Sequence, residues 1–412
     1  MPEDALQELE AKRHAFQRLL SGRTCWQLRT AYDMYVAAFL TPKLGDIPDP
    51  REAASLPVPT TEAIWRMVQG GDIRGEVQAS AGRHRHEERR FPRPVEFPHQ
   101  MARGGFDVVI GNPPWERVKL QEQELFAARD VEIASAPNKS ERDKLIKALK
   151  EAKPGTPDAR LSEEFELAKR AAEAASVFAR KTGRFPLTGT GDVNTYALFA
   201  EHFSRLALPG GRAGMLAPTG IATDSSTSAF LADLVESRRL SALISFDEIR
   251  RWFPSTDDRK SFCFLGVGSA DQSVRASFEI GRIDQLADQR REIELSIEDF
   301  VLFNPNTLTS PLFRARHDRD LTRKLYRAAP VLIRVRPDHP DDNDNPWGVT
   351  FQRLFDMSND SGHFRTGEQL SGQAFLRRTG LATWRRPALR AAVRGQDDSS
   401  LRSSLRLVCW AR

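Results

Sequence analysis

A short apolar run that is closed by a glycine restricts the fold of this chain more than any other feature. Residues 106–110 read FDVVI, are rich in β-branched side chains and precede Gly111. A continuous apolar run of this length is typical of a strand buried in a parallel sheet. Ligands of open α/β sheets bind at the carboxyl ends of the strands, so the residues after Gly111 are expected to form a functional loop.

The region after residue 190 alternates between helix and strand patterns. Residues 194–208 predict a helix with Tyr196, Phe199, Phe203 and Leu206 on one face. A turn at PGGR follows, and later segments predict one helix over 228–240 and strands over 213–218, 240–246, 261–268 and 273–283. This order predicts an open, mostly parallel sheet with helices on both faces, and residues 318–333 predict one further helix.

The residues before the sheet and between its strands have mainly helical patterns. Residues 1–44 and Thr61–Val68 predict helices. The polar run 74–98 contains His84 and His86, which we interpret as part of a solvated loop rather than as metal ligands. Residues 121–180 are charged and helical, with breaks at Pro137 and at KPGTPD, and we expect a solvent-exposed insertion there.

Composition excludes several classes of protein. The 412 residues include 61 Lys plus Arg and 56 Asp plus Glu, and this small excess does not by itself identify a nucleic-acid binder. Cys25, Cys263 and Cys409 are widely separated and lack CxxC spacing, which argues against a disulfide framework and a structural zinc site. No apolar run reaches the roughly 20 residues of a membrane helix. The acidic N-terminus is unlike a signal peptide, so a cytoplasmic location without a membrane is predicted.

Asn112, Pro113, Pro114 and Trp115 follow the strand FDVVIG directly. Two prolines fix φ and remove two backbone donors, which leaves a rigid turn with carbonyl groups that face outwards. The oxygen of an Asn side chain and a proline carbonyl can together accept both hydrogens of an exocyclic amino group. The indole of Trp115 offers a face on which a planar ring can stack. A base in a duplex has to leave the stack to reach such a site.

The segment GFDVVIGNPPW resembles the catalytic motif of S-adenosylmethionine-dependent N6-adenine DNA methyltransferases. The chain as a whole is similar to the large, type IIG-like methylases of type II restriction-modification systems. The similarity extends over about residues 33–365 and includes the stretches GDVNTYALFAEHFSRLALPGGRAGMLAPTGIATD, ISFDEIRRWFPSTDDRKSFCFLGVG and NPWGVTFQRLFDMSNDSGHF. It implies part of the Rossmann-like α/β sheet of class I methyltransferases, S-adenosylmethionine as cofactor and double-stranded DNA as partner.

The resemblance also implies roles for individual residues. Asn112 and the Pro113 carbonyl would hold the adenine amino group, and Trp115 would stack on one face of the flipped base. Phe253 would stack on the opposite face, or alternatively anchor its loop in the core. Pro114 would contact the cofactor, and the reaction needs neither a metal nor a general base.

The chain departs from the family at the cofactor site. The family has an FxGxG turn after the first strand of the sheet, upstream of the catalytic motif. Here the pairs Gly70-Gly71 and Gly104-Gly105 do not follow apolar strands, and LTGTGD at 187–192 lies after the motif, where we expect a loop. The resemblance therefore implies a missing N-terminal half, or a partner subunit, that carries the cofactor turn and a nuclease.

The second departure is the C-terminal tail. Residues 388–406 read ALRAAVRGQDDSSLRSSLR and have no regular periodicity. One permitted choice of codons, shifted by one base, encodes RYVLPFEAKMIHHFDHRF, which is similar to the next segment of the family. We interpret the tail as a frameshifted sequence, and a native disordered tail is the alternative.

These observations predict four regions and one leading function. The regions are a helical and loop segment over 1–100, a catalytic α/β core over 101–268 with an insertion at about 121–185, the start of a target-recognition region over 269–370, and an aberrant tail over 371–412. The leading function is site-specific methylation of adenine N6 in DNA within a restriction-modification system. One alternative is an inactive DNA-binding fragment or specificity subunit, and the other is a methyltransferase that acts on protein glutamine or on RNA.

Overall fold

The computed structural model describes residues 6–41, 58–88, 92–247, 252, 261–268, 273–336, 343–350, 376–378 and 381–383. Contacts divide the chain into a large unit, Met1–Pro346, and a small unit, Trp347–Arg412. In the small unit, an antiparallel hairpin joins Leu376–Arg378 to Leu381–Thr383. The other elements described below lie in the large unit.

Helices occupy most of the first half of the chain, and strands alternate with helices in the second half. The α-helices are α1 (Leu6–Ser21), α2 (Arg23–Leu40), α3 (Thr61–Val68), α4 (Gly75–Glu88), α5 (Arg93–Glu96), α6 (Pro98–Ala102), α7 (Glu122–Ala127), α8 (Val131–Ala134), α9 (Lys139–Lys150), α10 (Pro157–Lys181), α11 (Thr195–Leu206), α12 (Gly220–Thr223), α13 (Ser228–Glu236), α14 (Ile297–Phe303) and α15 (Arg316–Ala328). The strands are β1 (Phe106–Gly111), β2 (Ala207–Pro218), β3 (Leu240–Phe246), β4 (Phe262–Val267), β5 (Val274–Ile280) and β6 (Ile293–Leu295). None of these helices is both long and apolar enough to cross a membrane.

The six strands form one mixed sheet in the order β1-β2-β4-β3-β5-β6. The pairs β1–β2 and β3–β5 are parallel, whereas β4 runs antiparallel to both of its neighbours and β6 runs antiparallel to β5. The α/β prediction is therefore confirmed, but the expectation of a mostly parallel sheet is wrong. The reason is that β4 follows β3 and turns back to pair beside it, between β3 and β2. The predicted turn at 209–212 lies within β2, where Gly210 has a φ of +85° and the register with β1 shifts.

One face of the sheet forms the main core. Alternate residues of the strands are buried there under α11, α13 and α14, and they include Ala213, Met215, Ala217, Leu243, Cys263, Leu265, Ala276 and Phe278. The opposite face, which we call the outer face, carries the intervening residues, such as Leu216, Ile244 and Phe264. These side chains are only half-buried. Among the described residues, the helices thus bury one face of the sheet, whereas the sequence predicts helices on both faces.

The expectation that β1 is buried is also wrong. β1 lies at the edge of the sheet, so one of its two sides has no partner strand among the described residues. Only Val109 packs against the main core, while Val108 and Ile110 point to the outer face and are 68% and 79% exposed. An apolar run in the sequence indicates that the segment tends to be buried. It does not indicate whether the residues that bury it belong to the same chain.

The described residues of the polar run 74–98 are mainly helical and do not form the predicted loop. Most of it forms α4, in which Val77 and Ala81 are separated by one helical turn and are buried against Met34 and Met67 of α2 and α3. Val77 and Ala81 lie on the same face of α4, and their burial is enough to pack this mainly polar helix against α2 and α3. Within the described residues, no group of three His, Cys, Asp or Glu side chains is arranged to hold a metal ion.

The insertion between β1 and β2 is helical, as predicted, and it has a small core of its own. Its helices α7 to α10 break at the predicted positions, and side chains of Asp130, Asn138 and Thr156 cap the N-termini of α8, α9 and α10. The residues of this core are Phe126, Ile133, Ile146, Leu149 and Phe165. The insertion therefore packs as a subdomain rather than as isolated exposed helices.

α11 is held by a buried carboxylate. Glu201 is 0% exposed, accepts hydrogen bonds from the backbone N–H and the hydroxyl of Thr188 at 2.9 and 2.7 Å, and pairs with Arg205 at 2.6 Å. These bonds fix the segment 187–192, which consists of turns and bends as predicted. The sequence pattern placed Phe199 and Phe203 on the buried face, but both are half-buried, and the more deeply buried positions include Ala200 and Ser204.

We predict that Glu201→Gln lowers the free energy of unfolding by about 2 kcal/mol, because hydrogen bonds to a charged acceptor contribute about 1.5–3 kcal/mol. Urea titration monitored by circular dichroism measures the change. Glu163→Gln, at an exposed position of α10, is the matched control and should unfold like the wild type. Equal stability of the two variants would contradict the anchoring role.

The same helix carries a histidine that is kept neutral. A guanidinium N–H of Arg93 contacts His202 Nε2, which must be the acceptor because arginine can only donate. Burial, together with the positive charges of Arg93, Arg184 and Arg205, lowers the pKa of His202 from 6.5 to about 4. Arg93 belongs to α5, so this contact joins the N-terminal helices to α11.

The low pKa of His202 predicts a pH-dependent stability. Below pH 6.5 the unfolded chain binds a proton at this histidine before the folded chain does, so stability falls from there towards pH 4. His202→Gln should therefore lose less stability than the wild type between pH 7 and pH 5, as measured by thermal melting. His317→Gln on the exposed side of α15 should retain the wild-type pH dependence. Parallel curves for the wild type and His202→Gln would contradict this prediction.

Candidate active site

The loop 112–116 leaves the carboxyl end of β1, as the sequence predicts. At Gly111 a Cβ atom would lie 2.8 Å from Cε2 of Phe203, so a larger residue here would displace the ring of Phe203 from the end of the strand. In the loop, Asn112 and Pro114 are exposed, Pro113 is buried and Trp115 is half-buried. The buried Pro113 therefore anchors the loop, and the side chain of Asn112 lies in solvent.

Thr195, the first residue of α11, holds this loop in place. Its hydroxyl accepts a hydrogen bond from the Glu116 N–H at 3.0 Å and lies 2.7 Å from the Pro114 carbonyl, to which it can donate. The Thr195 N–H donates to the Glu116 carbonyl at 2.8 Å, and Val118 bonds to Val193 in the same way. The hydroxyl thus supplies the donor that the two prolines remove from the loop.

Two acceptors of the loop are left free. In the part of the chain that the structure describes, no hydrogen bond reaches the side chain of Asn112 or the carbonyl of Pro113. The carbonyl of Pro114, in contrast, is engaged by Thr195. The loop therefore presents an amide side chain and one backbone carbonyl, next to each other in sequence, to an external donor.

Aromatic rings surround the end of the loop. Trp115 lies 6.3 Å from Phe262 between ring centroids, and Phe262 stacks on Phe246 at 5.0 Å. Trp252 packs edge-on against both phenylalanines. This cluster joins the carboxyl end of β3 to the start of β4. Phe253, the second predicted stacking residue, lies outside the described residues.

A cavity of about 900 Å³ opens beside Trp115. The insertion forms one wall, and the start of α11 together with the end of β2 forms the other. Its lining includes Trp115, Arg117, Lys119, Glu124, Ala172, Asn194, Tyr196, Pro218 and Asp224. Asn112, Pro113 and Pro114 are not part of the lining, so the structure brings Trp115 but not the other three predicted residues into the cavity wall.

Tyr196 and Asp224 line the cavity, and the sequence analysis assigns neither of them a role in a site. Burial raises the pKa of the Tyr196 hydroxyl, and the nearby carboxylate of Asp224 raises it further, so the phenol is a neutral donor. Asp224 accepts from the Thr223 hydroxyl at 3.3 Å. Tyr196 occurs in the stretch NTYALF that carries part of the resemblance, but helical periodicity marks it only as a core residue.

Two buried donors in this region lack a partner. The indole nitrogen of Trp115 and the hydroxyl of Thr219 make no hydrogen bond to any described residue. Leaving a buried donor unpaired costs about 1–3 kcal/mol. Trp115 borders the cavity, whereas Thr219 follows the cavity residue Pro218 and is not part of the lining.

The described residues do not form a complete site for S-adenosylmethionine. A nucleoside cofactor of an α/β sheet is held by a glycine-rich turn after a strand and by an acidic residue at the end of the next strand. On the outer side of β1, beside Asn112, the described residues contain neither feature. Pro114 is exposed near this position, but its carbonyl already bonds to Thr195.

One family model matches the chain. Residues 61–152 match the Eco57I restriction-modification methylase model. The matched range includes α3 to α6, β1, the loop from Asn112 to Trp115 and the first three helices of the insertion, α7 to α9. No curated protein matches the chain at a significant level.

Several solved structures are similar to the chain at a low level. A modification subunit of a putative type I restriction enzyme from Vibrio vulnificus YJ016 is 12% identical, with 67% of this chain and 65% of that chain covered and a TM-score of 0.22. The type IIG endonuclease BpuSI is 14% identical, with 64% and 39% covered and the same TM-score. The chain spans 12% of the DNA-bound type ISP enzyme LlaBIII, at 10% identity, 51% coverage of this chain and a TM-score of 0.21. These TM-scores are too low to define the fold, which rests on the strand order described above.

We predict that Thr195→Val loosens the loop, because its hydroxyl is replaced by a methyl group that cannot bond to Pro114 or Glu116. Amide hydrogen exchange of residues 115–118 should become faster, with a small decrease in melting temperature. Thr322→Val, whose hydroxyl bonds only to the preceding helical turn, is the matched control. Unchanged exchange in the Thr195 variant would show that the loop is rigid without this hydroxyl.

Proposed function

We propose that this chain carries the catalytic residues of a restriction-modification DNA methyltransferase that modifies adenine at N6. The observation that carries the proposal is the pair of free acceptors, the side chain of Asn112 and the carbonyl of Pro113, on a loop fixed by Thr195. The match of residues 61–152 to the Eco57I methylase family supports the reaction class.

The two acceptors suit an exocyclic amino group. If Asn112 Oδ1 and the Pro113 carbonyl each accept one hydrogen of N6, both N–H bonds are polarised and electron density rises on the nitrogen that attacks the methyl group. Acceptors that are already in place stabilise the developing positive charge without reorganisation. The extra proton can leave to water after the transfer, so no side chain has to act as general base.

The aromatic cluster suits a base that has left the duplex. Trp115 offers a ring next to the loop, and Phe262, Phe246 and Trp252 support it from behind. Stacking on such a face offsets part of the few kcal/mol that flipping a base costs. We propose that Phe253, which follows Trp252 directly, covers the other face of the adenine.

Double-stranded DNA is the proposed partner. Arg117 and Lys119 are exposed at the cavity beside Trp115 and can neutralise backbone phosphates near the flipped base. S-adenosylmethionine is the proposed methyl donor and would supply an electrophilic methyl group in line with N6. The described residues hold and polarise the acceptor base, whereas the elements that would hold the donor lie elsewhere.

We predict that Asn112→Ala, introduced at the natural locus, lowers N6-methyladenine in genomic DNA by about 100-fold or more, since removing one aligned catalytic hydrogen-bonding group costs about 10²–10³ in rate. Single-molecule sequencing of the genome measures the modification. Gln123→Ala, at an exposed amide on α7, is the control and should methylate normally.

Two outcomes would contradict the proposed function. The first is unchanged methylation in the Asn112→Ala strain. The second is transfer of a labelled methyl group to protein glutamine or to RNA, and not to DNA, because the same pair of acceptors can hold those amino groups. Duplex binding that depends on salt, without any methyl transfer, would identify a DNA-binding remnant instead.

A further inference from the structure

A second cavity, of about 280 Å³, lies where the N-terminal helices meet α11. Residues of α2, α5, α6 and α11 form its walls, together with the bend that follows α10. We call it the arginine cavity. Its polar lining consists of Tyr32, Asp33, Tyr35, Arg93, Arg184 and His202.

The arginine cavity is separate from the candidate active site. The two cavities share no lining residue. His202 lies seven residues after Thr195, which is about 10 Å along the helix axis. Leu206, another lining residue, lies beside Gly105, which directly precedes β1. The arginine cavity is therefore at the amino end of β1, opposite the Asn112 loop.

The positive charges of the arginine cavity are not matched by negative ones. The half-buried guanidinium of Arg93 donates to His202, but this acceptor is neutral and uses one of five donors. In the part of the chain that the structure describes, neither Arg93 nor Arg184 forms an ion pair with a carboxylate. Burial lowers the pKa of Arg93, and the nearby charge of Arg184 lowers it further. Two guanidinium groups thus line the same space and repel each other.

The other polar groups of the lining do not neutralise these arginines. Asp33 is 4% exposed and has an interaction of its own, but it pairs with neither Arg93 nor Arg184. The hydroxyls of Tyr32 and Tyr35 make no hydrogen bond to a described residue, so both are available as donors. The lining is therefore rich in donors and lacks an anionic acceptor.

We propose that the arginine cavity binds a small phosphate-bearing molecule, either inorganic phosphate or a phosphate monoester such as a mononucleotide. The guanidinium forks of Arg93 and Arg184 donate to the phosphate oxygens, and the two tyrosine hydroxyls donate as well. The bound dianion supplies the negative charge that a half-buried arginine requires.

The number of donors decides the kind of anion. One guanidinium fork is enough for the two oxygens of a carboxylate, whereas a phosphate offers oxygens to two forks and to further hydroxyls. The volume of about 280 Å³ also favours a small ligand. A phosphodiester within a DNA duplex fits less well, because it carries a sugar on each side and cannot enter a cavity of this size.

The test is isothermal titration calorimetry of the full chain with inorganic phosphate, with cytidine monophosphate, with cytidine and with a DNA duplex that has no terminal phosphates. A pyrimidine nucleotide avoids binding at the proposed adenine site. Arg184→Gln removes one fork at an exposed position. Arg184→Lys keeps the charge but loses the fork. Arg160→Gln, at an exposed position of α10, is the matched control.

We expect phosphate and cytidine monophosphate to compete for one saturable site per chain, and cytidine not to bind. Arg184→Gln should weaken the binding of both ligands at least about tenfold, because it loses charge-assisted hydrogen bonds. Arg184→Lys should have an intermediate affinity, and Arg160→Gln should bind like the wild type. Phosphate should raise the melting temperature of the wild type and of Arg160→Gln, but not that of Arg184→Gln.

Three outcomes would overturn the proposal. The first is the absence of saturable binding of phosphate and of cytidine monophosphate. The second is an equal loss of affinity in Arg184→Gln and Arg160→Gln, which would identify general attraction to a positive surface. The third is displacement of phosphate by the duplex with the same dependence on Arg184, which would identify a contact with the DNA backbone. None of these measurements involves methyl transfer, so the proposed function is tested independently.

Discussion

The parallel pairing of β1 with β2 is the constraint on which the candidate site depends. Two parallel strands cannot be joined by a tight turn, so the chain leaves β1 at its carboxyl end and must return to the opposite end of the sheet before β2 begins. α11 makes that return, and its first turn therefore lies near the point where β1 ends. The meeting of Thr195 with the Pro114 carbonyl is a consequence of this topology.

α11 packs against the sheet and also holds the Asn112 loop in place. Its small residues allow close contact with the sheet, and Gly111 removes the one Cβ that would push Phe203 away. Glu201 and His202, one turn or more further along, hold the segment 187–192 on one side and α5 on the other. The buried carboxylate and the neutral imidazole are costly to place in a helix unless their partners are fixed, so they define the position of α11 in the molecule.

Much of this arrangement follows from the sequence. The strand patterns at 106–110, 240–246, 261–268 and 273–283 predict β1, β3, β4 and β5, and the breaks at Pro137 and KPGTPD predict where the helices of the insertion end. Two consecutive prolines predict a rigid turn, and this pattern indicates the loop from Asn112 to Trp115. These features can be predicted because each depends on residues that are close together in the sequence.

The remainder depends on contacts between distant residues. No local signal sets the direction of β4, because an apolar run is equally compatible with parallel and antiparallel neighbours. Thr195 lies 81 residues after Pro114, so its bond to that carbonyl is visible only once α11 has been placed. The exposure of Val108 and Ile110 could not be predicted for a similar reason. The sequence pattern of β1 is typical of a buried strand with a neighbour on each side.

The small core of the insertion has a consequence for how such a site can change over time. Phe126, Ile133 and Phe165 stabilise the wall of the cavity without taking part in the main core of the sheet. Replacements within α7 to α10 can therefore reshape the space beside Trp115 while the Asn112 loop keeps its geometry. In this architecture, the shape of the cavity and the geometry of the Asn112 loop are free to evolve at different speeds.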